Sequence, residues 1–262
     1  MKETKKMVFA RYDVNMIDDN HIDSPIGIIT KLLIDGNGKI GKGVYHFSTV
    51  PGTYDYSVTV NGADYAVKGT CPCNCIGCYG MSGNYKRYGY DTQAMRTVIA
   101  RNYTEFMTRA IIAQIKADKI HFVRIHATGD FFSDEYIAAW QEIIKVCPEC
   151  TFWTYTKNTA AVAAFDALPN ANIVKSLIPH YGFNFGHCDY IIAVYNELKR
   201  QGKSVYICRC GIDKNQHCNN CKACSSHEYV LFIEHSTEYK AEKDPKYAEI
   251  KKLIDSQESM KF

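Results

Sequence analysis

The chain has 262 residues, of which 46% are hydrophobic and 23% are charged, and its formal net charge is +3. Such values are typical of a globular protein with a sizeable core, and the charge is too small to indicate binding of nucleic acid through its phosphates. No apolar run reaches the roughly 20 residues of a membrane-spanning helix, and the chain does not open with the apolar core of a signal peptide. We therefore expect a cytoplasmic protein that makes no contact with a membrane.

Residues 1–66 contain short apolar runs that are separated by turn signals such as Asn61-Gly62. These signals are typical of hairpins and loops, and they predict an irregular or β-rich N-terminal extension. A short strand at 65–68 is expected to lead into the segment that follows.

That segment, residues 71–78, contains four cysteines and is called the cysteine segment. Cys71, Cys75 and Cys78 have the spacing C-x3-C-x2-C, which lets three thiolates hold an iron–sulfur cluster and leaves one iron open to a small molecule. Alternatively, the four cysteines form half of a structural zinc site. Cys73 also allows other pairs of metal ligands, with Cys75 or with Cys78. The twelve cysteines of the chain fall in tight groups, which in a reducing compartment favours metal ligation over disulfides.

A helix is predicted from about residue 91 to residue 117, and a strand follows at 120–126. The strand leads into Thr128-Gly129-Asp130, which is called the TGD segment. Its backbone acceptors and its carboxylate suit a positively charged ligand. A strand-to-helix turn with a capping aspartate is the alternative.

Alternation along the strand at 120–126 places Val123 and Ile125 on the side of the helices, and Arg124 and His126 on the opposite side. An inward arginine and histidine would be costly in a dry core, so we expect a hydrated cavity that binds anions there. The opposite register, or a structural ion pair, is the alternative.

Further strands are predicted at 151–156, 172–178, 205–208 and 229–233, and further helices from Ser133, at 159–168, at 188–200 and in the charged tail from Lys240. Regular alternation of strands and helices predicts a parallel sheet, open or curled into a barrel. Ligands bind at the carboxyl ends of such strands, where Lys157 and Ser176 are expected. We expect an α/β fold with a β-rich extension over 1–66, a partial (β/α) barrel over 67–235 and a helical tail over 236–262.

A second group of cysteines, Cys210, Cys218, Cys221 and Cys224, has the spacing C-x7-C-x2-C-x2-C, and Cys208 lies close by. Four thiolates suit either an auxiliary four-iron cluster or a closed tetrahedral zinc site. The sequence predicts ligation by this C-terminal cysteine-rich segment and leaves the choice of metal open.

The spacing C-x3-C-x2-C, followed by a strand and the TGD segment, resembles the signature of radical S-adenosylmethionine (SAM) enzymes. In that family the open iron of a [4Fe-4S] cluster binds SAM, and one electron yields a 5′-deoxyadenosyl radical that abstracts hydrogen from the substrate. The chain departs from the family in having Gly77 where an aromatic residue often precedes the last cysteine, and a single Gly and an Asp in place of paired Gly and Glu. The resemblance implies cluster ligands at Cys71, Cys75 and Cys78, and SAM contacts at Tyr79, Thr128, Gly129, Asp130 and Ser176.

The stretch from Cys71 to Lys157 also resembles a small family of phage gene products. Among radical enzymes of this size, the chain is similar to the lyases that release queuine from a queuosine nucleotide. That similarity implies hydrogen abstraction from the ribose, breakage of the glycosidic bond, and a site in which Arg124, His126 and Lys157 act on a nucleotide with a 5′-phosphate. It also implies an electron donor such as flavodoxin or ferredoxin, and it allows a homodimer.

Two other classes of protein remain open. A radical SAM enzyme with an auxiliary cluster could modify a peptide instead, or both cysteine groups could hold zinc in a nucleic-acid-binding protein. Against the second class, the net charge is only +3 and no stripe of lysine and arginine accompanies the cysteines.

Overall fold

The computed structural model describes residues 3–36, 40–74, 78–81, 90–175, 185–213, 215–234 and 240–257. In these ranges the helices are α1 (Lys5–Arg11), α2 (Asp91–Asn102), α3 (Thr104–Asp118), α4 (Asp134–Val146), α5 (Thr159–Phe165), α6 (Cys188–Arg200), α7 (Cys218–Cys221) and α8 (Tyr247–Ser256). The strands are β1 (His21–Ser24), β2 (Gly27–Thr30), β3 (Ile34–Asp35), β4 (Tyr45–Phe47), β5 (Asp55–Val60), β6 (Ala63–Lys68), β7 (Phe122–Ile125), β8 (Thr151–Thr156), β9 (Ala171–Lys175), β10 (Phe185–Gly186), β11 (Val205–Cys208) and β12 (Tyr229–Ile233). Among the helices of these ranges, none has both the length and the apolar character needed to cross a membrane.

The largest sheet of the described residues has the order β3-β4-β7-β8-β9. Strands β4, β7, β8 and β9 run parallel, and β3 pairs antiparallel with β4 at one edge. A second sheet, of order β10-β12-β11, is also parallel. The helices between these strands are crossovers, as in other parallel sheets. Closure of the two sheets into a partial barrel, and the division of the chain at residues 66 and 235, stay predictions.

Helices α2 to α5 pack on one face of the large sheet and bury an extensive apolar core with it. Val123 and Phe152 point into this core from neighbouring strands and are fully buried. Trp140 of α4 packs edge-on against Phe47 of β4, with their ring centroids 5.5 Å apart. Ser133 begins α4 as predicted, because its hydroxyl accepts the N–H of Tyr136 at 3.2 Å.

The helix predicted over 91–117 is divided into α2 and α3 at Tyr103, whose φ of −143° and ψ of 47° are not helical. The Thr104 hydroxyl donates to the Ala100 carbonyl at 2.8 Å and satisfies a carbonyl at the end of α2. Apolar residues continue at helical spacing on both sides of the break, so the pattern in the sequence does not reveal it.

The strand expected at 65–68 is part of β6, but it pairs antiparallel with β5 and stands outside the parallel sheet. The parallel strand that precedes the cysteine segment is β4, which is hydrogen-bonded to β7 in the register Phe47 to Ile125. Strand β4 has three residues, which is too short for a periodic pattern to be recognised. The N-terminal extension therefore supplies β3 and β4 to the large sheet.

The opposite face of the large sheet is covered by the cysteine-rich segment, residues 208–213 and 215–227. The Lys222 ammonium group lies 3.7 Å from the centre of the Phe122 ring on β7. The Asn172 amide on β9 donates to the Cys224 carbonyl at 2.8 Å. One face of the sheet thus buries the apolar core, and the other face holds the second group of cysteines.

Candidate functional site

The cysteine segment is anchored near the carboxyl ends of β4 and β7. The hydroxyl of Thr70, the residue before Cys71, accepts the N–H of Asp130 at 3.1 Å and donates to the Val50 carbonyl at 2.8 Å. The Thr49 hydroxyl lies 2.9 Å from it, and both threonines are buried. Because Val50 and Asp130 follow the ends of β4 and β7, these threonines hold the segment at the edge where parallel sheets bind ligands.

Two glycines allow the cysteine segment and the TGD segment to meet. Gly129 has a φ of +88°, and a Cβ on it would collide with the hydroxyls of Thr49 and Thr70. Gly80 lies against Thr128, where a Cβ would stand 3.1 Å from the threonine methyl carbon. The structure thus brings together two segments that the sequence places after neighbouring strands.

Cys71 and Cys78 are both partly exposed and lie around Tyr56. Burial raises the pKa of Tyr56 to about 12, and the two nearby thiols add to the rise. Cys75 and the side chain of Tyr79 lie outside the described residues, so the third cluster ligand and the contact of Tyr79 with SAM stay predictions. Of the three predicted ligands, Cys71 and Cys78 lie in the described part of the chain, and cysteine thiolates are the usual protein ligands of iron–sulfur clusters.

The Asp130 carboxylate is buried and joins the TGD segment to the end of β8. It accepts the Thr156 hydroxyl at 2.5 Å and the N–H groups of Lys157 and Phe131 at 3.0 and 2.8 Å. Burial raises the pKa of Asp130, and these hydrogen bonds and the charge of Lys157 oppose the rise. A carboxylate has about four lone-pair positions, so one remains for a bound cation. Binding of the SAM ammonium group by Asp130 stays a prediction.

Strand alternation predicts that His126 lies on the same side of the sheet as Arg124, but this alternation does not extend to His126. Strand β7 ends at Ile125, and the φ of His126 is +60°, so the strand geometry does not continue. Its Nε2 lies 2.8 Å from the Tyr136 hydroxyl, and its ring packs edge-on against Phe131 with centroids 4.6 Å apart. Burial, followed by the charge of Arg124, lowers the pKa of His126 to about 3. His126 is therefore a neutral core residue, and the prediction that it lines an anion-binding cavity with Arg124 is wrong.

Arg124 lies on the face of the sheet that the cysteine-rich segment covers. Its guanidinium carbon is 5.2 Å from the centre of the Tyr155 ring, and Tyr155 in turn contacts Cys224. Arg124 thus belongs with the second group of cysteines, whereas Lys157 belongs with the TGD segment. Ser176 lies outside the described residues, so its contact with SAM also stays a prediction.

The second group of cysteines lines one cavity. No three histidine, cysteine, aspartate or glutamate side chains in the described part of the chain converge closely enough to hold one metal ion. The thiols of this group therefore line a cavity but do not converge on a single metal position. Cys208 was expected only to lie nearby, because spacing in the sequence cannot show that β11 delivers its last residue to the cavity wall. The wall is formed by Cys208, Cys210, Cys218, Cys221, Cys224, Trp153, Tyr206, Lys222, Ala223 and Val230.

Two tyrosine hydroxyls reach these thiols. Tyr155 donates to the Cys224 sulfur at 2.7 Å, and the Cys221 thiol donates to the Tyr206 hydroxyl at 3.5 Å. Burial raises the pKa of Cys224 to about 12, and the charge of Arg124 acts in the opposite direction. Binding of a metal here would require that the thiols lose their protons.

The family model described as gene product 88 matches residues 31–244 of the chain. The chain belongs to the gene product 88 family. Its relatives include the Gene 88 protein of Mycobacterium phage L5, which is 37% identical over 90 residues, and that of Mycobacterium phage D29, which is 50% identical over 90 residues. Each alignment covers 30% of this chain and 37% of the relative, so the chain spans little more than a third of their length. No solved structure matches the chain.

The gene product 88 match includes both cysteine groups, the TGD segment and both parallel sheets, all of which lie between residues 31 and 244. The resemblance to phage gene products that residues 71–157 indicate is therefore confirmed, and it extends well beyond them. The names of the relatives state no activity, so the chemistry has to be inferred from the site.

We expect Gly129→Ala to destabilise the protein more than Gly202→Ala. The φ angles are +88° for Gly129 and +71° for Gly202, and a left-handed backbone costs other residues ~1–2 kcal/mol. A Cβ on Gly202 meets nothing within 4 Å, whereas on Gly129 it would displace Thr49 and Thr70. Urea unfolding measures both losses, and equal losses would contradict the close packing of the TGD segment on these threonines.

We also expect His126 to make stability depend on pH. Its pKa falls from 6.5 to about 3 on folding, so the unfolded chain binds the extra proton between these values. The free energy of unfolding should therefore fall as pH drops below 6.5, by up to ~1.4 kcal/mol per pH unit. Urea unfolding over a pH series should show a flatter dependence for His126→Asn, since asparagine tolerates the same backbone. The exposed His121→Asn is the control, and an unchanged slope in His126→Asn would contradict this account.

Proposed function

We propose that this protein is a radical SAM enzyme that acts on a modified nucleoside or nucleotide. The observation that carries the proposal is the anchoring of the cysteine segment to the TGD segment by the buried hydroxyl of Thr70. This contact brings three kinds of group to one edge of the sheet: thiols for a cluster, backbone acceptors with a carboxylate for a positively charged group, and a lysine for an anion. A purely structural zinc site has no need of the last two.

Cys71, Cys75 and Cys78 would hold a [4Fe-4S] cluster, because three thiolates at this spacing leave one iron open. With the cluster and SAM bound, the cluster would supply the electron that cleaves SAM to a 5′-deoxyadenosyl radical. Gly129 would contact SAM through its backbone, because Thr49 and Thr70 occupy the position that its side chain would take. The Asp130 carboxylate would accept a hydrogen bond from the ammonium group of SAM. Its three hydrogen bonds within the protein leave one of about four lone-pair positions for this contact.

Lys157 supports a nucleotide as the substrate. Its backbone N–H binds Asp130, and its partly exposed side chain follows the end of β8, where an ammonium group suits a 5′-phosphate. We propose queuosine 5′-phosphate as the substrate, with abstraction of hydrogen from the ribose, cleavage of the glycosidic bond and release of queuine. A one-electron donor such as flavodoxin or ferredoxin would reduce the cluster.

We expect anaerobically purified protein to contain iron and sulfide and to form 5′-deoxyadenosine from SAM under reductant. Cys71→Ala should abolish this product, and Cys73→Ala should retain it, because only Cys71 fits the spacing of three ligands. Mass spectrometry of the products measures both. Zinc without sulfide in the unmodified protein, or a requirement for Cys73 in place of Cys71, would contradict the proposed ligand set.

The same assay distinguishes the substrate classes. Queuosine 5′-phosphate should raise 5′-deoxyadenosine formation and release queuine, and guanosine 5′-phosphate, the matched control, should do neither. A rise with a peptide library alone would reject the nucleotide and favour a peptide-modifying enzyme.

We expect Lys157→Ala to raise the KM for queuosine 5′-phosphate by roughly tenfold, the effect of losing one hydrogen bond between charged groups. The KM for the nucleoside without the phosphate should not change. The exposed Lys145→Ala on α4 is the control for loss of a lysine. An equal change for both substrates would show that Lys157 does not bind the phosphate.

A further inference from the structure

We propose that the cavity of the second cysteine group holds an iron–sulfur cluster of its own, and that Tyr155 tunes this cluster through a hydrogen bond to Cys224. The thiols of this cavity come from the end of β11 and the following segment up to Cys224, and none comes from the cysteine segment. The inference is therefore independent of the radical chemistry proposed for the first site.

The spacing of the thiols around the cavity favours a cluster over a single ion. Five cysteines line the cavity, yet among the described residues no three histidine, cysteine, aspartate or glutamate side chains converge closely enough for one ion. A zinc ion in a closed tetrahedral site lies ~2.3 Å from every sulfur and therefore needs thiols that converge on one position. The thiolates of an iron–sulfur cluster stand further apart, because each one binds a different corner.

The local backbone directs three thiols into this space. Cys218 and Cys221 begin and end the single turn of α7, and the N–H of Lys222 donates to the Cys218 carbonyl at 2.9 Å. Lys222 has a φ of +51°, which ends the helix and starts a 3₁₀ turn that contains Cys224. Three cysteines spaced by three residues therefore face one volume.

The fourth ligand comes from the end of β11. Cys208 and Cys210 both line the cavity, and a hydrogen bond joins their side chains. The Cys210 thiol also donates to the Gln216 carbonyl at 3.1 Å. One thiolate from this pair completes a set of four, which is the usual number for a [4Fe-4S] cluster.

The surroundings suit a buried cluster that carries negative charge. Trp153 and Val230 are at most 1% exposed and form a dry part of the wall. Tyr155 extends from β8 and donates to the Cys224 sulfur at 2.7 Å, with the Arg124 guanidinium 5.2 Å from its ring. Hydrogen bonds to ligand sulfurs raise the reduction potential of a cluster. Tyr155 is thus a positioning residue that makes the second cluster easier to reduce.

The first test uses the full chain with Cys71→Ala, Cys75→Ala and Cys78→Ala combined, which removes the first site and leaves the second intact. After anaerobic reconstitution with iron and sulfide, this variant should retain about four irons and four sulfides per chain. Adding Cys221→Ala and Cys224→Ala should remove them. One zinc per chain without sulfide would overturn the proposal.

Should the triple variant fail to fold, the reconstituted unmodified chain is compared with the full chain that carries only Cys221→Ala and Cys224→Ala. This variant should contain about four irons fewer per chain, and equal iron contents would overturn the proposal. The triple variant cannot cleave SAM whatever the second cavity holds. Its iron content therefore reports on the second site alone, and failure of this inference is distinguishable from failure of the proposed function.

The second test measures the reduction potential of the remaining cluster by redox titration with electron paramagnetic resonance. Tyr155→Phe should lower the potential, because it removes the hydrogen bond to Cys224 and keeps the ring. Tyr195→Phe on α6, which packs in a different core cluster away from the cavity wall, should leave the potential unchanged. An unchanged potential in Tyr155→Phe would overturn the role of this hydrogen bond.

Discussion

The buried hydroxyl of Thr70 is the contact on which the candidate site depends. It joins the residue before the cysteine segment to the backbone of Asp130 at 3.1 Å. Separating the two would leave a buried donor without a partner, at a cost of ~1–3 kcal/mol. The missing Cβ of Gly129 makes room for this contact. Threonines and main-chain atoms therefore position the start of the cysteine segment beside the TGD segment.

The two faces of the large sheet have different roles, since one buries the apolar core and the other is covered by the second group of cysteines. Val123 and its neighbours on the helix side are committed to the apolar core. Arg124 and Tyr155 stand on the other face, where the cysteine-rich segment packs and the Asn172 amide fixes its backbone at 2.8 Å from the Cys224 carbonyl. Side chains on strands are held more rigidly than those on loops, which favours a well-defined second site.

Much of the fold could be predicted from the sequence because local patterns were strong. The observed bounds of β8 (Thr151–Thr156) and α6 (Cys188–Arg200) match the predicted ones, since a β-branched aromatic run and an amphipathic stripe each indicate one structure. Strand β4 was missed because three residues show no period. The orientation of His126 depends on a single φ of +60°, which alternation cannot foresee. The approach of Cys208 to the cavity is a tertiary contact that no spacing encodes.

The central claim is that one iron, held beside the TGD segment, is open to SAM. Electron–nuclear double resonance of the reduced protein, with isotopic labels on the amino nitrogen and the carboxylate of SAM, tests this claim most directly. The account predicts hyperfine coupling of both labels to the cluster of the cysteine segment. Coupling from neither label, in protein whose cluster is intact and reduced, would contradict it.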